Sequence, residues 1–375
     1  MKYHMPTAII FGPGSLSELG GAIQDRLRSS RPLLVTDRGV VKAGIAEKLI
    51  SQLPETPTFD EVEQNPRHTT VDRGGEIARE LKPDLIIGLG GGSVLDAAKA
   101  IALLATNPGR IEDYEGREKY KTAPLPVLAI PTTCGTGSEV TWVAVITHTG
   151  RQFKMSIKGP QMYPAVALVD PDLLMTLPPH LIASTGLDAL THAVEAFTVK
   201  PASVITDALA LESLRLIFRS LPEAYQDIRN NAESRESLML GSLLAGLAFG
   251  NSDVGAVHCL AESVGSLYDT PHGVANAVFL PYVMEFNFEA AKAKYAAIAA
   301  VAGIETKTKD EAAGRLIEKI KQLSRDLSIP DFRELRIPEN DFPLIAQKSF
   351  ENNSNPSNPR EATAADYLDI LRRAH

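Results

Sequence analysis

Asp188 and His192 stand four residues apart in GLDALTHAVEAF, so on a helix both side chains share one face. His258 and His272 follow in GAVHCLAESVGSLYDTPHG, where two further imidazoles can close on the same point. One carboxylate and three imidazoles form an O/N ligand set suited to Fe(II) or Zn(II). An ion that keeps an open position there can polarise a carbonyl or hold an alkoxide, which is the work of an enzyme. Each residue also has a plainer reading: a local helix pair for Asp188 and His192, a core histidine at His258, a turn residue at His272 after Pro271. The combination favours a ligand set, because the chain has only 8 histidines in 375 residues and three of them sit among small neighbours that let backbones pack tightly. Glu195, three residues after His192, is an orienting partner or a rival ligand. Cys259 is expected to point away from the site as a buried thiol.

A second constellation suggests a dinucleotide. LIIGLGGGSVLDAAK (Leu85–Lys99) runs from an apolar strand through glycines into a helix. Gly90, Gly91 and Gly92 allow close backbone approach or positive φ. Ser93 is an expected N-cap, and the free amides beyond it form an anion site suited to a pyrophosphate. The segment is not the usual G-x-G-x-x-G fingerprint, and no acidic strand end follows about 20 residues later. An acidic strand end does occur earlier, at Asp37, where a carboxylate can bind both ribose hydroxyls and repel a 2′-phosphate; this favours NAD over NADP. Capping of the next turn is the other open role for Asp37. PTTCGTGSE (Pro131–Glu139) also follows a predicted strand, and Thr132, Thr133, Thr136 and Ser138 offer hydroxyls to phosphate, ribose or a carboxamide. Two such loops at strand ends of one sheet share the edge where ligands bind.

The elements needed to position these residues are legible. Leu33–Asp37, Leu85–Gly88, Val127–Ile130 and Val166–Asp170 are short apolar runs bounded by turn formers or charges, as strands buried on both faces would be. Amphipathic Gly44–Leu53 and Val71–Leu81 lie between them, which predicts a parallel sheet covered by helices. After Leu177–His180 strand signals nearly vanish. Helical spacing runs through Ile182–Val199, Ala202–Leu221, Ala232–Phe249, Val254–Leu267, Ala290–Val301 and Asp310–Leu327. The expected organisation is a Rossmann-like α/β domain over 1–178 and an all-α domain over 179–375, with a ligand cleft between them. Apolar Ala8–Phe11 is a candidate edge strand for a partner, and Asn352–Arg360 a polar loop before a final helix.

Composition excludes several classes. A net charge of −8 and a pI near 5.6 argue against nucleic acid or an anionic membrane as partner. Two cysteines, Cys134 and Cys259, make no disulfide framework and fit a reducing cytosol. The beginning of the sequence lacks a signal peptide's apolar core, and no apolar run is long enough to span a bilayer, so a cytoplasmic enzyme is expected.

GGGSVLDAAKA, PTTCGTGSEVT, GLDALTHAVEAF and HCLAESVGSLYDTPHGVANA resemble, in order, the signature segments of the iron-containing (group III) alcohol dehydrogenases; PGSL near the start and NPREAT near the end extend the likeness. The resemblance implies a dehydroquinate synthase-like fold, reversible hydride transfer between a small alcohol or aldehyde and NAD(H), and a homodimer. It implies that Asp188, His192, His258 and His272 hold the metal, usually Fe(II) and sometimes Zn(II). It matches Asp37 to the position linked to NAD preference, Gly91, Gly92, Ser93 and Asp96 to the pyrophosphate loop, and Thr132, Thr133 and Ser138 to the second cofactor loop. Many relatives carry histidine four residues after the third ligand, where this chain has Glu262; a glutamate there can relay a proton, attract a polar or cationic substrate, or simply lower activity. Trp142 and Phe249 are candidate pocket walls, or ordinary core aromatics. Lys154 is a candidate contact to substrate or cofactor, or a solvated lysine. An NAD-using lyase or cyclase and a polyol-phosphate dehydrogenase of the same fold are the alternatives. Their phosphorylated substrates call for a basic cluster that the sequence around His258 and His272 lacks.

Overall fold

The computed structural model describes residues 2–375, which divide into two compact units. One comprises Met5–Thr133 and Gly137–Leu177; the other comprises residues 2–4, Cys134–Thr136 and Pro178–His375.

The first unit contains strands β1 (Ala8–Phe11), β2 (Pro32–Val35), β3 (Thr58–Phe59), β4 (Leu85–Gly90), β5 (Gly116–Arg117), β6 (Val127–Pro131), β7 (Val143–His148), β8 (Phe153–Lys158) and β9 (Val166–Val169). Six of them form a sheet of order β1-β9-β6-β4-β2-β3, parallel at every pairing. β4, β6 and β9 are buried along their whole length, which is why they read as unbroken apolar runs. Alternation then sorts their side chains. Leu33, Val35 and Ile86 enter one core with Val71, Ala78 and Ile101; Leu34, Ile87 and Leu89 enter the other with Leu19, Ile45 and Leu49. Helices therefore cover both faces, as expected. On the first face, a Cβ on Gly74 would lie 2.4 Å from Ile101 Cδ1, so glycine is what lets helix His68–Leu81 press against helix Gly92–Thr106. Ala8–Phe11 is an edge strand, and it pairs with β9 of its own sheet.

The sequence reading contained no second sheet. β7 and β8 form an antiparallel pair, with β5 parallel on β8. Lys154, Ser156 and Lys158 hid the strand signal of β8, because they alternate along one side of a half-buried ribbon.

The second unit is helical. Helices Pro179–Thr198, Val204–Asp227 and Ala232–Phe249 pack on one another, and helix His272–Phe286 packs on both Pro179–Thr198 and Ala256–Tyr268. Helix His272–Phe286 escaped the sequence reading because it is apolar nearly all round and carries Pro281, so it shows no polar stripe. Helices Phe288–Val301, Lys309–Asp326, Phe342–Glu351 and Ala364–Ala374 complete the unit. Among the described residues no helix is long and apolar enough to cross a membrane.

Candidate metal centre

Three helices deliver the four predicted side chains. Asp188 and His192 lie one turn apart in helix Pro179–Thr198, which is buried from Gly186 through Thr198. His258 is in the first turn of helix Ala256–Tyr268, and His272 opens helix His272–Phe286 directly after Pro271. Gly273 makes the last approach possible, since a Cβ there would lie 2.3 Å from the main-chain oxygen of Ser184. One ligand atom from each of Asp188, His192, His258 and His272 falls within 4.8 Å of the other three. The rings are mutually tilted, at 46° for His192 and His258 and 55° for His258 and His272, so their in-plane lone pairs can converge.

Outer partners fix the tautomers. His192 Nδ1 donates to the main-chain oxygen of Asp188 at 2.9 Å, and His258 Nδ1 meets Glu195 Oε2 at 2.5 Å. With Nδ1 engaged on both rings, the two Nε2 atoms face inward, 3.0 Å apart. Two lone pairs at that distance repel unless a proton or a cation lies between them, so this donor set fits a divalent ion. Burial pushes His192 down to about 3 against the pull of Asp188, keeping it neutral; burial also opposes charge on His258, but the Glu195 hydrogen bond outweighs it and raises the group. Glu195 also caps the helix that carries His258, accepting the Val257 N–H through Oε1 at 2.8 Å. The next free amide, Ala256 N–H, is taken by Asn358 Oδ1 at 3.2 Å from the polar loop near the chain's end. Phe249 stacks on His192 with ring centroids 4.3 Å apart.

Sequence reasoning missed Asn276. Its Nδ2 lies 2.6 Å from Asp188 Oδ1 and 3.1 Å from both His258 Nε2 and His272 Nε2. The signal was present: Asn276 stands four residues after His272, as His192 does after Asp188. Glu262, one turn beyond His258, accepts a hydrogen bond from Asn352 at 2.6 Å. Cys259 is buried off the cluster.

A second histidine cluster shows what convergence requires. His68, Glu112 and His148 also bring atoms within 4.8 Å, but the two rings stack 14° from parallel, so their in-plane lone pairs run side by side. His148 is satisfied without an ion, accepting from Arg151 N–H and facing Glu112 at 2.9 Å.

In the α/β unit the glycine turn is built differently in one respect from the sequence expectation. Gly91, not Ser93, occupies the N-cap of helix Gly92–Thr106; Ser93 lies within the first turn. A Cβ on Gly90 would meet Val94 Cγ2 at 2.6 Å, and one on Gly91 would meet Thr133 Cγ2 at 3.2 Å, so glycine is dictated by packing as well as by any ligand. Thr132 N–H bonds Gly90 O at 3.0 Å, tying the two loops at the ends of β4 and β6. Ser138 Oγ donates to Asp96 Oδ1 at 2.6 Å, and Asp96 Oδ2 accepts Val145 N–H at 2.9 Å, so both polar side chains bind the loop to the helix. Lys99, fully buried, adds Asp96 at 3.1 Å and the carbonyls of Ser138 and Val143. Burial pushes the nearby Glu139 up to about 7, partly countered by Lys99. Asp37 does cap its helix, accepting Val40 N–H at 2.9 Å through Oδ1. Thr136 groups with the helical unit. Trp142 lies under the Arg117 guanidinium, 4.9 Å from its ring centre, and Lys154 is buried, donating to Asn65 at 2.7 Å.

Inward-facing imidazole nitrogens with a carboxylate describe a metalloenzyme. Residues 6–171 match the family described as iron-containing alcohol dehydrogenase, and residues 182–375 match the Fe-containing alcohol dehydrogenase family, C-terminal. The chain belongs to the iron-containing alcohol dehydrogenase family, and it is an alcohol oxidoreductase. It is 40% identical to 1,3-propanediol dehydrogenase of Citrobacter freundii, over 99% of this chain and 98% of that one. It is 35% identical to the NAD-dependent methanol dehydrogenase of Bacillus methanolicus, over 100% of this chain and 99% of the relative. A crystal structure of 1,3-propanediol oxidoreductase superposes with a TM-score of 0.96 at 40% identity, covering 100% of this chain and 99% of the other.

Proposed function

We propose that the protein reversibly transfers hydride between a small alcohol or diol and NAD+, using a metal held by Asp188, His192, His258 and His272. The carrying observation is the pair of inward-facing Nε2 atoms 3.0 Å apart, each fixed by an outer partner on Nδ1. A divalent ion bound there supplies a Lewis acid for the substrate oxygen, and bound NAD supplies the hydride acceptor. The protein's own part is preorganisation. Glu195 holds the His258 tautomer, and the Asp188 carbonyl holds that of His192. Phe249 shields one face of His192. Fe(II) is the ion assigned from the family and Zn(II) the alternative. Affinity order favours zinc, so iron loading depends on supply.

NAD is assigned to the α/β part, 1–178, with the metal centre and substrate assigned to the helical part, 179–375. The NAD reading rests on the helix amides after Gly91, on Asp37, whose Oδ2 takes no part in the cap bond to Val40, and on the likeness to an NAD-dependent relative. Asp96 and Ser138 serve by fixing the second loop. A homodimer in the cytoplasm completes the reading. The test is NADH formation by metal-stripped protein reloaded anaerobically with Fe(II) or Zn(II), across short alcohols and diols. Activity that needs both metal and NAD+ is expected. Silence with every alcohol despite bound metal and NAD would refute the reading.

A further inference from the structure

We propose that Asn276 is a fifth member of the metal centre: its buried amide stands among the four ligand side chains, and its oxygen is the group it offers to an ion. The inference rests on the metal-centre reading above.

Asn276 is fully buried, and its Nδ2 faces three acceptors at once: Asp188 Oδ1 at 2.6 Å and the Nε2 atoms of His258 and His272 at 3.1 Å. These are atoms that a metal would claim. An amide NH2 has two hydrogens and no available lone pair, so it suits the ligand set only while no cation is present. A cation entering this cluster meets partially positive hydrogens and must drive them away. The other end of the same amide explains where they go. Asn276 Oδ1 is buried and accepts no hydrogen bond, an arrangement that costs on the order of 1–3 kcal/mol. A half-turn of the amide brings that unpaired oxygen to the cation and takes the hydrogens away from it. Because the residue sits one turn after His272 in helix His272–Phe286, this rotation needs no backbone movement.

The test titrates metal-stripped wild type, Asn276→Ala and Asn276→Asp with Co(II), reading affinity by chelator competition and coordination by the visible d–d spectrum. Wild type is expected to bind one Co(II) at the centre. Asn276→Ala should bind it about ten- to a hundredfold more weakly, with stronger d–d bands of lower coordination number. Asn276→Asp keeps an oxygen and should restore both. A spectrum and affinity unchanged in Asn276→Ala would overturn the proposal, since a merely structural asparagine would leave the spectrum alone. If Asn276→Ala does not fold without metal, Asn276→Asp decides alone: affinity within about threefold of wild type supports the oxygen role, and a loss of tenfold or more overturns it. Failure of wild type to bind Co(II) would instead sink the metal-centre reading, which separates the two failures.

Discussion

Glu195→Gln is the sharpest perturbation this centre offers, because it changes no volume and removes one acceptor. The carboxylate serves two donors, Val257 N–H through Oε1 at 2.8 Å and His258 Nδ1 through Oε2 at 2.5 Å. Glutamine has a single oxygen. If that oxygen keeps Val257, its NH2 faces Nδ1, which must then accept; the ring proton moves to Nε2, and His258 can no longer ligate without losing it. If the oxygen instead keeps Nδ1, the NH2 opposes Val257 N–H, and a buried amide goes unpaired at a cost of about 1–3 kcal/mol. The first arrangement lowers metal affinity about ten- to a hundredfold, or roughly 1.4–2.7 kcal/mol. Two measurements separate them: metal retention against a chelator at fixed pH, and urea unfolding of the metal-free protein. At least one must fall. A variant with wild-type metal affinity and wild-type stability would refute the claim that Glu195 sets the His258 tautomer.

Three further changes test other parts. Gly273→Ala would set a Cβ 2.3 Å from Ser184 O and is expected to cost about 1–3 kcal/mol, with weaker metal retention, measured by thermal unfolding and metal content. Glu139, pushed up to about 7 in the folded chain, folds more favourably protonated, so its contribution is full below about 4.5 and fades as pH rises to about 7. Glu139→Gln should therefore match wild type near pH 4.5 and exceed it above pH 7, by on the order of 2–3 kcal/mol while Lys99 keeps Asp96; parallel stability curves would contradict this. Glu262→Gln is expected to slow turnover with metal content unchanged. An identical pH–rate profile and turnover would exclude a proton-relay role for that carboxylate.

The sequence made the ligand types visible because helical spacing is local: Asp188 and His192 share a face whatever surrounds them. That His258 and His272 meet them depends on how three helices cross, and only small residues such as Gly273 hinted at it. Asn276 carried the same four-residue spacing from His272 but lacks a titratable group, so it drew no notice. The strands β2, β4, β6 and β9 were legible because burial on both faces leaves unbroken apolar runs. The β7–β8 ribbon was not, since its lysines read as surface until Asn65 and the strand partner are in place. Asp96 and Ser138 stand in loop motifs that suggest a ligand, yet much of their bonding is to each other. Sequence types cannot distinguish a polar group that waits for a ligand from one already satisfied.

Lys99 has a use beyond structure. The residue is 1% exposed and burial pulls it below the ordinary lysine range, so a reagent reaches its amine only when the packing around it opens. Of the carbonyls that enclose it, Ser138 belongs to the turn leading into the β7–β8 ribbon and Val143 to β7 itself. Acylation of this one lysine therefore reports, by mass, how often that ribbon detaches from the helix beneath it, which makes the side chain a native stopwatch for local opening.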